Sequence, residues 1–219
     1  MMTKTIPLPR AGQGNGSVPE RRDAAANRAR ILSVAQTLFD QHGVPPVTMA
    51  DIAQEAGVGK GTLYRNFANK GELCLALMDT QLRNFQDEQL AAMRAQAQTG
   101  VPSMAQLARF LDALVNFSAI HLPLLCEVQH VGDVLDERET QRPHFWQYMT
   151  VQGLLRNAVQ SGELPQTVDA AYTAEALLAP LAPHTFRFQR DVLGFDTARI
   201  TTGLRLLLHA LSSLNEVSA

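Results

Sequence analysis

Between Thr48 and Phe67 the chain reads Thr-Met-Ala-Asp-Ile-Ala-Gln-Glu-Ala-Gly-Val-Gly-Lys-Gly-Thr-Leu-Tyr-Arg-Asn-Phe, and its polar side chains form a set suited to hydrogen bonding with a polyanion. Lys60 supplies an ammonium, Arg65 a planar fork of donors, Thr62 and Tyr64 hydroxyls, and Asn66 an amide that both donates and accepts. Such groups can meet base edges in a DNA groove while hydroxyls and backbone N–H groups reach phosphates. Glycines at 59 and 61 would let a backbone approach closely. Hydrolytic and redox chemistry finds no comparable set. The chain has no GxSxG, no phosphate-binding P-loop, no HExxH and no glycine-rich loop after a strand, so neither enzyme activity nor a cofactor is expected.

To be useful, these side chains must be held rigidly, and the surrounding spacing predicts how. Ile31, Leu32, Ala35, Leu38 and Phe39 recur as one helical stripe, and Gly43 suits the stop of that first helix. Pro45 and Pro46 then enforce an extended turn. Thr48 and Asp51 have the spacing of a capping box, which makes Thr48 the expected N-cap of a second helix. Ala53 is small enough for a close helix crossing four residues before Gly57, and Gly57 can supply the left-handed turn. The third helix, about 59–66, is shorter than the ~12–15 residues that are marginally stable alone, so Ile52, Val58, Leu63 and Phe67 must anchor it to the first. The outcome is a helix-turn-helix whose outer face is polar.

As a whole, this region resembles the TetR family of transcriptional regulators over about residues 25–75. The resemblance rests on Leu38-Phe39-Asp40-Gln41-His42-Gly43, on Thr48 with Ile52-Ala53 and Ala56-Gly57-Val58, and on Gly61-Thr62-Leu63-Tyr64-Arg65-Asn66-Phe67 followed by Lys70-Gly71-Glu72-Leu73. It implies that Thr48 caps the second helix and touches phosphate. It places Gly59, Lys60, Gly61 and Thr62 at the groove, Tyr64 on a phosphate, Arg65 and Asn66 on bases or phosphates, and Lys70 on another phosphate. Two residues depart from the family's habit. Gly59 stands where a serine, threonine or alanine is common, and Gly71 where an acid is frequent, with Glu72 beside it.

Charge is distributed to match. The 219 residues carry a net −2, yet residues 1–72 hold nine lysines and arginines against six carboxylates, a balance of +3, and the remainder carries −5. All three lysines lie at or before Lys70. Residues 1–22 mix Pro, Gly, Ser and Arg without apolar period and read as a disordered arm. The helix-turn-helix domain is set at 23–72 and a second domain at 73–219. Two distant cysteines, Cys74 and Cys126, fit a reducing cytoplasm, and neither a signal segment nor about 18 consecutive apolar residues is present.

Beyond residue 70 the pattern predicts further helices over about 69–97, 103–121, 123–137, 140–161, 168–190 and 196–215, with Pro180 and Pro183 expected to kink or interrupt the fifth of these. The expected fold is therefore all-α, an N-terminal three-helix unit plus a C-terminal helical bundle for ligand binding and dimerisation. For this second part the resemblance is one of layout. It implies a homodimer built on the last two helices, where Ile200, Leu204, Leu207, Leu208 and Leu211 are candidate interface residues on an apolar stripe. It also implies a small-molecule effector pocket, with Phe110, Leu114, Phe117, His121, Trp146 and Met149 as candidate walls and core packing as the competing reading of each. His121, Cys126, Glu127 and His130 could suggest a metal, but one helical turn lacks the three or four ligands needed, and no metal site is expected. The functional expectation is a repressor released from a palindromic operator in double-stranded DNA by a small apolar or amphipathic effector. Its alternative is a helical ligand-binding protein that does not bind an operator.

Overall fold

The computed structural model describes residues 18–129 and 143–217. The described residues form helices α1 (Val18–His42), α2 (Met49–Glu55), α3 (Lys60–Asn66), α4 (Lys70–Gln98), α5 (Ser103–Gln129), α6 (Pro143–Gln160), α7 (Ala170–Leu178), α8 (Pro183–Asp191) and α9 (Thr197–Val217), and no strand occurs among them. The arm expected at 1–22 lies outside the description up to residue 17, and α1 begins at Val18, five residues before Asp23.

Two apolar cores divide the chain. The smaller one gathers Ile31, Ala35 and Phe39 of α1, Ile52 and Ala53 of α2, Leu63 of α3, Phe67, and Leu73 and Cys74 of α4. Leu32 and Leu38 are only half-buried at its edge, so the α1 stripe is narrower than its sequence suggests. The larger core begins one turn on along α4, at Met78, and fills the space among α4 to α9. Since α4 contributes to both, this single 29-residue helix joins the two units.

Helix ends follow local chemistry. Gly43 takes φ 79° after α1, and its N–H donates to the Phe39 carbonyl at 2.9 Å. Asn69 accepts from the Glu72 N–H at 2.9 Å to cap α4, and the Glu72 carboxylate accepts from the Ala68 N–H at 2.9 Å. Glu163, in the loop after α6, accepts from the Ser103 and Met104 N–H groups at 2.8 and 2.9 Å, and so caps α5 from 60 residues away.

One predicted boundary moves and another holds. The break expected at Pro123 does not occur, since α5 runs through it to Gln129. Proline removes one ladder donor at a cost of about 3 kcal/mol in a helix interior. Here Pro123 is exposed, and Leu122, Leu124 and Leu125 around it pack on the larger core, which offsets that cost. By contrast, the helix expected at 168–190 is interrupted as Pro180 and Pro183 require. It becomes α7, a 3-10 turn at Ala179–Leu181 and α8, with Pro183 at the first position of α8. By length and composition α5 could cross a membrane, but Leu107, Phe110, Leu111, Leu114 and Val115 are buried and its Asp112 pairs with Arg205 of α9. It is the central helix of the bundle.

Candidate nucleic-acid interface

The helix-turn-helix is built around α2, and its capping box is complete. The Thr48 hydroxyl accepts from the Asp51 N–H at 3.2 Å and donates to the Asp51 carboxylate at 2.7 Å, while the Thr48 N–H donates to that carboxylate at 2.9 Å. These donors hold the Asp51 carboxyl below its ordinary value of 3.8. At the other end Gly57 adopts φ 61°. The Val58 N–H reaches the Ala53 carbonyl at 3.0 Å and the Gly57 N–H the Gln54 carbonyl at 3.1 Å, the paired bonds of a Schellman stop. The chain then turns directly into α3.

Leu63 and Phe67 are buried and fix α3 to the small core, leaving Gly59, Lys60, Gly61, Tyr64 and Arg65 exposed. Thr62 and Asn66 are half-buried. Arg65 lies back along the helix, donating to the Gly61 carbonyl and the Thr62 hydroxyl at 3.2 Å each, and the Asn66 amide donates to the Thr62 carbonyl at 2.8 Å. Lys60 and Tyr64 are thus the two long side chains of α3 most open to a ligand. Gly59 is the N-cap of α3 and provides no side-chain cap; a Cβ at Gly59 or Gly61 would meet open space. The fold itself does not demand glycine at either position.

One expected contact is corrected. Lys70, read as a phosphate contact, is turned inward: its Nζ donates to the carbonyls of Val44 at 2.6 Å and Pro45 at 3.2 Å and pairs with Glu127 of α5 at 3.3 Å. Two carbonyls accept from the ammonium, and the Glu127 carboxylate pairs with its charge. Another cation, Arg28 of α1, was missed by sequence reasoning. Its guanidinium donates to the Asn66 carbonyl at 3.0 Å and lies 4.3 Å from the Phe67 ring centroid, so a positive charge closes the C-terminus of α3. The signal lay in the Arg-x-Arg before Ile31, but nothing local tied it to residue 66.

Comparison with known proteins bears directly on this unit. The model of "Bacterial regulatory proteins, tetR family" matches residues 31–77, from the α1 stripe to the start of α4. Residues 31–77 thus resemble the DNA-binding unit of the tetR family. An HTH-type transcriptional regulator of Staphylococcus aureus (strain bovine RF122 / ET3-1) is 46% identical over 65 residues, which are 30% of this chain and 35% of that protein. Its counterpart in strain USA300 is 46% identical over the same share. The chain thus matches about a third of the length of these curated relatives. Among solved structures, Thermus thermophilus FadR, a TetR-family transcriptional repressor in complex with lauroyl-CoA, superposes with TM-score 0.61 at 20% identity, over 83% of this chain and 92% of that one. A regulator from Saccharomonospora viridis in complex with choline gives 0.60 at 20% identity, over 84% and 96%. At such identity these two establish the shared fold.

In this chain the candidate pocket residues do converge, as packed core. Phe110, Leu114 and Phe117 are buried, and Trp146 is half-buried. Phe85 of α4 joins them, 4.5 Å from Phe117, 6.4 Å from Phe110 and 6.1 Å from Trp146 between ring centroids, and Trp146 lies 5.6 Å from Phe110. His121 rests against Phe117 at 4.5 Å, and burial lowers its pKa. Met149 does not belong, being 46% exposed. As for the weighed metal set, Cys126 is buried with Sγ 3.7 Å from the Pro183 carbonyl, Glu127 pairs with Lys70, and His130 lies outside the described residues.

The interface stripe also needs correction. Ile200, Leu204 and Leu208 of α9 are buried in their own core and Leu211 packs against it, whereas Leu207 is 51% and Leu206 64% exposed. A 3.6-residue period marks the buried face of a helix without saying which surface buries it. The exposed leucines are on the adjoining face: Leu206 and Leu207 line a groove of about 630 Å³ together with Pro180, Phe195 and Gly203.

Proposed function

We propose that this chain is a ligand-responsive, DNA-binding transcriptional regulator. It acts as a homodimer on a palindromic operator and represses until a small apolar or amphipathic effector releases it. One observation carries the DNA-binding part: a seven-residue helix, locked at one end by a Schellman turn and at the other by Arg28, presents Lys60, Tyr64 and two unobstructed glycines outward. A helix this short gains nothing in stability from such a surface. Its rigid presentation suits entry into a major groove.

Two further observations support the rest. Leu206 and Leu207 of α9 are exposed along a groove with Pro180 and Phe195, and a second copy of the chain would bury them and set two reading helices at fixed spacing. For the effector, the aromatic cluster of Phe85, Phe110, Phe117 and Trp146 offers a lining that could open around an acyl chain or a quaternary ammonium. The structural neighbours in complex with lauroyl-CoA and with choline fit either chemistry.

The test is selection of bound sequences from a random duplex pool at near-physiological salt. Enrichment of a palindrome is the expected result, and it supplies a probe for effector screening by release. Failure of folded, dimeric protein to enrich any motif would favour a ligand-binding protein without an operator.

A further inference from the structure

The last two turns of α5 belong to both halves of the molecule. Leu124 packs on the larger core and on the small core alike, and Val128 packs on the small one. Between them Cys126 faces α8, its Sγ 3.7 Å from the Pro183 carbonyl, and Glu127 faces α4, its carboxylate 3.3 Å from Lys70 Nζ. The Lys70 and Glu127 side chains are only 16% and 23% exposed, so the pair is largely shielded from solvent. The ammonium bonds in turn to the carbonyls of Val44 and Pro45, at the turn that launches α2.

We propose that Glu127 is a positioning residue for the DNA-reading unit: it holds Lys70 inward, and through Lys70 it fixes the 44–45 turn, so that the α5 terminus sets the placement of the helix-turn-helix. The chemistry is direct. An ammonium held by two carbonyls and paired with a largely shielded carboxylate stays in place, whereas one held by two carbonyls alone keeps its hydrogen bonds but loses the opposite charge that balances it away from water. Movement of α5 relative to α4 would therefore reach the α1–α2 turn before it reached α3. Lys70 accordingly serves as a link between domains and makes no phosphate contact.

Hydrogen exchange on the full-length chain tests this without DNA or effector. Glu127→Gln and Lys70→Met are each expected to speed exchange of the amides in 47–57 several-fold, with the double variant no faster than either single one and α6 unchanged. Unchanged exchange in 47–57 for Glu127→Gln, or additive effects, would overturn the proposal. Duplex binding gives a second readout, which rests on the DNA-binding function proposed above. Both variants should lose affinity together while the slope of log affinity against log salt stays that of the unaltered protein. A slope reduced by about 1 in Lys70→Met only would mark a lost phosphate contact and overturn the linking role. If the unaltered protein bound no duplex, the function proposed above would fail, and the exchange comparison would still decide the role of Glu127.

Discussion

Gly59, Gly61 and Tyr64 show how residue type separates the needs of folding from those of recognition. Because a Cβ at 59 or 61 meets nothing, substitutions there read out DNA approach with little interference from the fold. Gly61→Ala should raise stability by up to about 1 kcal/mol, the helix-propensity gain, yet lower operator affinity. A melt and a titration on the same sample check both signs, and unchanged affinity would remove the close-approach role of Gly61. Gly59→Ser adds the missing cap and should stabilise by a few tenths of a kcal/mol, readable as a denaturation midpoint. Tyr64→Ala should weaken operator binding while leaving the helical circular dichroism and the dimer intact, and full affinity would remove Tyr64 from the interface. Asp51 gives a pH dependence. Its carboxyl is held below the ordinary value, so the capping box stabilises the fold above about 3.8, and that contribution is lost as pH falls through the lowered native value. Near neutrality no change from this group is expected.

At the level of elements, the buried and the exposed apolar faces of α9 make opposite predictions. Leu208 is 5% exposed and sits in its own subunit's core, so Leu208→Ala should cost about 2–5 kcal/mol in monomer stability. Leu207→Glu should leave each subunit folded but shift the population to monomers, measured by light scattering. An intact dimer from that variant would place the interface elsewhere. The short α3 makes a comparable case at its C-terminus, since Arg28 holds it by one hydrogen bond and one ring contact. Arg28→Ala should cost about 1 kcal/mol and loosen exchange at 63–67, with α5 unaffected.

For the molecule as a whole, two cores joined by α4 and by the end of α5 imply that the larger helical core and the helix-turn-helix unit are mechanically continuous. Cys74 lies at the seam, on the α4 turn that leaves the small core, and burial together with nearby Glu127 pushes its thiol up to about 12. At pH 8 both buried cysteines should therefore resist a thiol reagent in the folded protein and react only on unfolding. Rapid native-state labelling of Cys74 would mean that the seam opens. Trp146, the single tryptophan, sits against Phe85 and Phe110. Its fluorescence should shift on addition of lauroyl-CoA or choline if that cluster is where the effector enters.

The sequence by itself determined what depends on neighbours along the chain. The α2 cap needs only Thr48 and Asp51 three residues apart, the α2–α3 turn only Gly57, and the break after α7 only Pro180 and Pro183. The helix-turn-helix and its polar outer face were legible for that reason. What the sequence could not show depends on partners far along the chain. Lys70, placed at a phosphate by the resemblance, meets the carbonyls of Val44 and Pro45 and the carboxylate of Glu127, the last of them 57 residues away, and Arg28 meets Asn66 across 38. The α9 stripe has the same limit: periodicity gives the direction an apolar face points, and only packing decides whether its own subunit or a second copy fills it. Here the chain's own core takes Ile200, Leu204 and Leu208, and Leu206 and Leu207 are left exposed.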